Sequence, residues 1–386
     1  GSIYGLNPQD EMTASIEITQ PLLKGAWYPY NSARMRIASN NKLLASQGFH
    51  QAASDLIYEV ESAYWQLSFA QKNHQAKIKG RSTAVENREK IRIARDAGAR
   101  SSVDLVTASS QLALRKVEFI EATVLARNAR DRLLLYLGDP KGESLLTRWR
   151  EGEDGTLFDR IDVIPTSKTT NDNYVPDRME SLERAFRQRG DYMQMKTLVA
   201  NKEIELEVAK NETLPQLDLR AGWSQHGLAG DIGGAYDSLR SRDFYSWSVG
   251  LEMRIPFSSR GPQNRYLRVQ DELRQLKFQR AQLENEIVVQ VDQSIRNLQS
   301  QHEMIQDLDM RVDLQKELLS TEINKLAAGR SVYYNVSVIE NDLVESQAQA
   351  LKAKAGYQAL KTGYLRVIGI LLSSYGYEFS DQELSR

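Results

Sequence analysis

The chain has 386 residues, 26% of them charged, with 50 Lys and Arg against 51 Asp and Glu and no cysteine. The missing thiols exclude disulfides, thiolate metal centres and cysteine nucleophiles, and a net charge of −1 offers no basic excess for a nucleic-acid partner. The four histidines (His50, His74, His226 and His302) lie too far apart for metal-ligand spacing, and no run of about 18 apolar residues provides a transmembrane helix.

Residues 12–19 alternate, with Met12, Ala14, Ile16 and Ile18 on one face and Thr13, Ser15, Glu17 and Thr19 on the other, which predicts a strand. The aromatics Trp27, Tyr28 and Tyr30 follow. The nine prolines then leave three stretches free, 30–139, 177–214 and 263–386. Proline inside a helix costs about 3 kcal/mol, so such stretches, rich in Ala, Leu, Gln, Glu, Lys and Arg, read as long helices. The first is expected over about 30–96, reversed at Ala97-Gly98-Ala99-Arg100-Ser101-Ser102, with a return helix over 103–137. Gly98 suits a left-handed C-cap, and the following serine suits an N-cap. A linker over 138–175 and a helix over 177–213 come next.

Two further strands are predicted. One covers 216–224, with Leu217, Leu219, Ala221 and Trp223 opposite Gln216, Asp218, Arg220 and Ser224. The other covers 245–257, with Tyr245, Trp247, Val249, Leu251, Met253, Ile255 and Phe257 opposite Ser246, Ser248, Gly250, Glu252 and Arg254. The glycine-rich segment His226–Asp243 between them is expected to be an exposed hairpin loop. A helix over 263–327, a turn at Ala328-Gly329-Arg330-Ser331 and a helix over 332–371 complete the chain. Heptads run through the helices: Leu56, Val60, Ala63, Leu67 and Ala70; Leu105, Leu112, Phe119, Ala126 and Leu133, with Ala108, Ala122, Ala129 and Tyr136 on a second seam; Val291 through Val312 to Leu326; Val336, Leu343, Ala350, Tyr357 and Tyr364. A seven-residue period implies left-handed coiled-coil packing. The strand lengths approach the 9–11 residues that span a bilayer, and aromatics gather at the strand ends.

The chain also repeats itself. An offset of 231 pairs Val60 with Val291, Gly98 with Gly329, Leu112 with Leu343 and Gly138 with Gly369. This divides the chain into a first repeat at 1–138, a linker at 139–175 and a second repeat at 176–386. At 1.5 Å per residue the helix over 30–96 spans about 100 Å, and the helices over 103–137 and 177–213 together return that distance, which puts the linker at mid-height. The return over 332–371 has no second stage, so one helix and one strand are expected ahead of Gly1.

In this order the residues resemble the TolC family of outer-membrane efflux and secretion channels. The resemblance covers nearly the whole chain. It rests on Ser15-Ile16-Glu17-Ile18-Thr19-Gln20-Pro21-Leu22, Val60-Glu61-Ser62-Ala63-Tyr64-Trp65-Gln66-Leu67, Ala97-Gly98 with Ser101 and Asp104-Leu105, Lys210-Asn211-Glu212-Thr213-Leu214-Pro215-Gln216-Leu217, and Ser248-Val249-Gly250-Leu251 before Ile255-Pro256-Phe257. It implies a mainly helical fold in which long antiparallel coiled-coil helices form a periplasmic α-barrel. Three protomers would each add strands to one twelve-stranded outer-membrane β-barrel. Glu17, Asp218, Arg220, Glu252 and Arg254 would then face an aqueous lumen. Ile16, Ile18, Leu217, Leu219, Trp223, Trp247, Val249 and Leu251 would face lipid.

The resemblance places Gly98, Arg100, Ser101 and Asp104, with Gly329, Arg330, Ser331 and Asn335, at a periplasmic tip that contacts a membrane-fusion adaptor and gates the tube. Through the adaptor it implies an inner-membrane pump as a partner. Asp104 serves either that tip or simply the helix dipole, and Arg100 and Arg330 serve either interprotomer pairing or solvation. Asn335 and Val338 stand where some members carry pore-constricting aspartates. Residues 77–100 carry eight basic against three acidic side chains, either a solvated face or an adaptor or lumen surface. An enzyme has little support. There is no Walker loop and no His-x-x-x-His, and the glycines at 227, 230, 233 and 234 do not open a helix after a strand as a dinucleotide site requires. Neither catalysis nor a cofactor is expected. A soluble or peripheral coiled-coil scaffold, or a helical pore former, would explain the heptads but not the strands.

Overall fold

A computed structural model describes residues 10–138, 163–167, 174–256 and 260–377. Most of the 139–175 linker and Phe257 lie outside the described residues. In chain order the elements are β1 (Asp10–Pro21), α1 (Tyr28–Asn31), α2 (Ala33–Asp96), α3 (Ser102–Leu137), α4 (Arg178–Gln188), α5 (Gly190–Glu212), β2 (Gln216–Ala229), α6 (Ile232–Ser241), β3 (Tyr245–Arg254), α7 (Arg260–Ala327), α8 (Tyr333–Val367) and α9 (Leu371–Ser374). Helices dominate, and α2 and α7 reach 64 and 68 residues. Pro262 falls in the first turn of α7, where its missing N–H has no intrahelical partner to lose. The chain forms two compact units, Gly1–Gln47 with Tyr192–Leu283, and Gly48–Asp191 with Glu284–Arg386.

In the second unit the heptads bury one stripe of each helix. Val291, Leu298, Ile305 and Val312 of α7 are buried, as are Val336, Leu343, Ala350, Tyr357 and Tyr364 of α8. In α3 the buried seam is the alanine one: Ala108, Ala122 and Ala129 are buried, while Leu105, Leu112 and Phe119 are half-buried. Alanine wins that place because a short side chain lets a neighbouring helix approach closely. Arg115 holds the heptad position between Ala108 and Ala122 and is also buried. On α2, Ala63, Leu67 and Ala70 pack with Ala129 and Leu133 of α3, whereas Leu56 is exposed.

Contacts fix the helix directions. Across α2 and α3, His74 bonds Thr123 and the Tyr136 hydroxyl donates to Glu59, so the two are antiparallel. In α7 and α8, Gln301 donates to the Ala353 carbonyl and Arg311 to the Gln349 Oε1, again antiparallel. Between the hairpins, Gln111 donates to Ser337 and Arg115 to Asn341. Both pairs advance by four residues in the same sense, so α3 and α8 run parallel, as two copies of one hairpin laid side by side must.

The helix expected over 177–213 is broken. Arg189 is extended (φ −66°, ψ 124°) and separates α4 from α5. Its guanidinium bonds both Asp191 oxygens at 3.0 and 2.7 Å, Gln290 at 2.8 Å and the Val367 carbonyl at the end of α8. The break abuts the turn after α8. A Cβ on Gly369 (φ +79°) would lie 2.8 Å from the Gln188 carbonyl carbon and 2.9 Å from the Arg189 nitrogen. Side-chain bonds to a distant helix end thus outweigh local helix propensity at this point.

The first unit holds the sheet, ordered β1-β2-β3 and antiparallel throughout. Its register sets Ile16 beside Trp223 and Trp223 beside Trp247. The chain leaving β1 is clamped by Asn211, whose Oδ1 accepts from the Gly25 N–H at 2.7 Å and whose Nδ2 donates to the Leu23 carbonyl. The 226–243 segment is not an open loop. β2 continues to Ala229, and Asp231 then caps α6 by accepting from the Gly234 N–H at 2.7 Å. The helix forms because Ala235 finds a fully buried seat against β2, where Gly227 has no Cβ to obstruct it. The third strand ends at Arg254, three residues earlier than its alternation suggested.

Candidate functional site

Period-two geometry sorts the sheet into two faces. One carries Ile16, Ile18, Trp223, Val249 and Leu251, and Trp247 on the same face is 72% exposed. Leu217 and Leu219 belong to it, with Leu219 exposed and Leu217 half-buried. The opposite face is polar and cross-linked. Arg220 pairs with Glu252 at 2.7 Å and with Glu17 at 3.6 Å, and Arg254 pairs with Glu252 at 3.0 Å. Ser224 bonds Ser246, and His226 bonds both Thr13 and Ser224. Four of the five charged residues expected together are therefore together. Asp218 lies on the same face, opposite Glu252, but it is buried and accepts from Gln216 Nε2 at 2.6 Å. Beyond the area that α6 covers and the buried Asp218, both faces of the described sheet are largely exposed or half-buried.

The two helix reversals are built alike. Gly98 (φ +76°) and Gly329 (φ +70°) end α2 and α7 in the left-handed conformation. In each, the next residue's N–H reaches back five positions, Ala99 to Ala94 and Arg330 to Lys325, both at 2.8 Å. This Schellman closure satisfies carbonyls that the helix end leaves open. The starts of the return helices differ. Ser101 Oγ accepts from the Asp104 N–H while Asp104 accepts from the Ser101 N–H, a reciprocal capping box. Ser331 does not cap, since Val332 is the N-cap and has no side-chain bond to give. Instead Ser331 Oγ donates to the Glu322 carboxylate, Asn335 donates to Ser331, and Lys325 Nζ lies 3.2 Å from Glu322. The Ser331 hydroxyl, and then Lys325, hold the Glu322 carboxyl below its usual range. The link from Glu322 to the second reversal was not legible in the sequence because Glu322 lies nine positions before Ser331, on the helix ahead of the turn. Arg100 is half-buried and Arg330 exposed.

Tyr333, at the start of α8, bonds Asn87 of α2, and burial raises its phenol above the ordinary range. On α3, Glu118 pairs with Arg115 at 2.9 Å and, across to α2, with Lys77 at 3.1 Å. Burial acts to raise the Glu118 carboxyl, and the two cations outweigh it and lower it. Within the basic run at 77–100, Arg92 and Arg95 pair with Glu89 and Asp96, and Arg81 sits 4.2 Å over the Phe119 ring. A groove of about 490 Å³ opens between α2, α7 and α8, with Lys77, Asp309, Asp313, Lys316 and Lys354 on its walls.

No family model matches the chain, and no curated protein matches it. Solved structures do. It is similar to the outer-membrane channel OprN, at 15% identity and TM-score 0.70 over 93% of this chain and 81% of that one. It is similar to the outer membrane protein VceC from Vibrio cholerae, at 13% identity and TM-score 0.69 over 94% and 87%. It is also similar to the open state of the Neisseria gonorrhoeae MtrE outer membrane channel, at 14% identity and TM-score 0.66 over 94% and 81%. OprN and MtrE are described as channels, and the likeness to all three is that of a mostly helical chain with a few strands. The fold of this chain is that of the TolC-family outer-membrane channels.

Proposed function

We propose that the chain is a subunit of a passive export conduit in the cell outer membrane, with most of its helical length in the periplasm. The observation that carries this reading is the sheet. An apolar face with Trp247 72% exposed lies opposite a charged face, and this describes a strand between lipid and an aqueous lumen. Among the described residues β1 and β3 each have one unpaired edge. In hydrocarbon those backbone groups need partners, so the sheet closes with copies of itself, and a homotrimer meets that demand.

The helix reversals at Gly98 and Gly329 form the periplasmic tip in this reading. The tips and the groove between α2, α7 and α8 are where a membrane-fusion adaptor would dock and couple an inner-membrane pump. The system is a tripartite efflux pump or a type I secretion apparatus, and cargo passes unchanged. A peripheral coiled-coil scaffold leaves the exposed tryptophans without a purpose. Extraction tests the reading: the chain should stay with membranes through high salt and carbonate and leave only with detergent. Release by carbonate alone would overturn it.

A further inference from the structure

The helix α6 packs on a particular face of the sheet, and that face has a consequence. Gln225 donates to the Leu239 carbonyl, and Gly227 lies directly beneath Ala235 and Leu239. Gln225 and Gly227 share their face of β2 with Trp223, two and four positions on, or about 7 and 14 Å along the strand. The other face at this level holds His226, bonded to Thr13 and Ser224. So α6 rides on the apolar side, beyond the row Ile16–Trp223–Trp247, and not on the charged side.

The direction of α6 is also fixed. Gly234 meets Ala229 at the far end of β2, and Leu239 meets Gln225 nearer the tryptophans. Its C-terminal end, with Arg240, therefore lies nearest the aromatic row, followed by Arg242, Phe244 and Tyr245, all exposed. Tyr236, one turn before Arg240, is exposed as well. Asp237 and Asp243 are the nearby acids; Asp237 lies on the far side of the helix from the sheet, and Asp243 follows Arg242.

We propose that α6 stands in the headgroup layer of the outer leaflet, outside the tube, and that Arg240 and Arg242 bind the phosphate of a lipid headgroup there. This rests on the reading of the apolar face as lipid-facing. Three features support it: α6 continues that face without a break, its exposed aromatic residues are those that settle at membrane interfaces, and guanidinium matches phosphate. It also keeps α6 clear of the lumen mouth.

The cysteine-free chain makes the test direct. Single cysteines replace Tyr236, Val249 or Ser248 in the full chain, carry a bimane probe, and are reconstituted in bilayers containing phosphatidylglycerol. The 236 probe should be quenched by a headgroup nitroxide lipid, the 249 probe by an acyl-chain nitroxide, and the 248 probe by aqueous iodide alone. A 236 probe that behaves like the 248 probe overturns the proposal while leaving the conduit reading intact. A 249 probe untouched by acyl-chain nitroxide overturns the conduit reading itself. In a second arm, Arg240→Gln and Arg242→Asn (asparagine tolerates the φ of +64° at 242) are assayed for retained phosphatidylglycerol per protomer. Each should lower its affinity about fivefold relative to phosphatidylcholine, the fold-change of one surface arginine. Unchanged retention in both variants overturns the phosphate assignment.

Discussion

Single residues in this chain carry weight where the backbone leaves no alternative. Gly98 and Gly369 both have positive φ, but a Cβ at 98 meets nothing within 4 Å, whereas at 369 it meets the Gln188–Arg189 backbone. Gly98→Ala should therefore cost only the left-handed strain, about 1 kcal/mol, while Gly369→Ala adds a clash and should cost about 3 kcal/mol. Thermal unfolding of the two variants followed by circular dichroism compares them; equal midpoints would contradict the packing at Gly369. Glu322 offers a pH test. Its carboxyl lies below its ordinary value near 4.5 because Ser331 and Lys325 favour the charged form. A lowered folded pKa contributes stability above the unfolded value, and that contribution is lost as pH falls through the folded one. Ser331→Ala should move the acid loosening of the second reversal upward, toward pH 4.5. Hydrogen exchange of the 329–336 peptide, compared between variant and parent at each pH, reads this out.

At the scale of elements, the four-residue agreement between Gln111–Ser337 and Arg115–Asn341 ties α3 to α8 at one register. Arg115 occupies an alanine seam and pairs with Glu118, which Lys77 also holds. Removing one partner of a buried pair is costly because the other stays desolvated. Glu118→Ala leaves the buried Arg115 without its carboxylate and should lose about 3 kcal/mol, while Arg115→Leu leaves Glu118 the Lys77 ammonium and should lose less. Chemical denaturation of both variants decides; a larger loss for Arg115→Leu would mean the guanidinium is a net stabiliser of the seam. The heptads made the helices and their pairing legible. They did not reveal Arg115 as a core residue, because its aliphatic stem can fill a seam position while its head bonds sideways.

For the whole molecule, the decisive property is a sheet that leaves most of both faces uncovered. Val249 and Ser248 are neighbours in β3 on opposite faces. On the proposed reading, Val249→Arg would put a charge in hydrocarbon at about 2–4 kcal/mol, while Ser248→Arg would put the same charge in water. Val249→Arg should deplete the assembled protein from the membrane fraction, and Ser248→Arg should not; native gels of detergent extracts measure both. If both variants assemble equally, the faces are not solvated as proposed.

The sequence by itself determined the long helices, the reversals at Gly98 and Gly329, the three strands and their two faces. Each follows from local rules: proline exclusion, a seven-residue period, positive φ at glycine and alternation at period two. Tertiary structure alone decided the break at Arg189, the burial of Asp218, the Ser331–Glu322 link and the helix over Ile232–Ser241. In the first and third, polar side chains found partners on other elements or beyond a turn. In the last, a glycine in one strand made room for an alanine in the following helix. No periodicity records such choices, because they depend on what lies across the fold rather than along the chain.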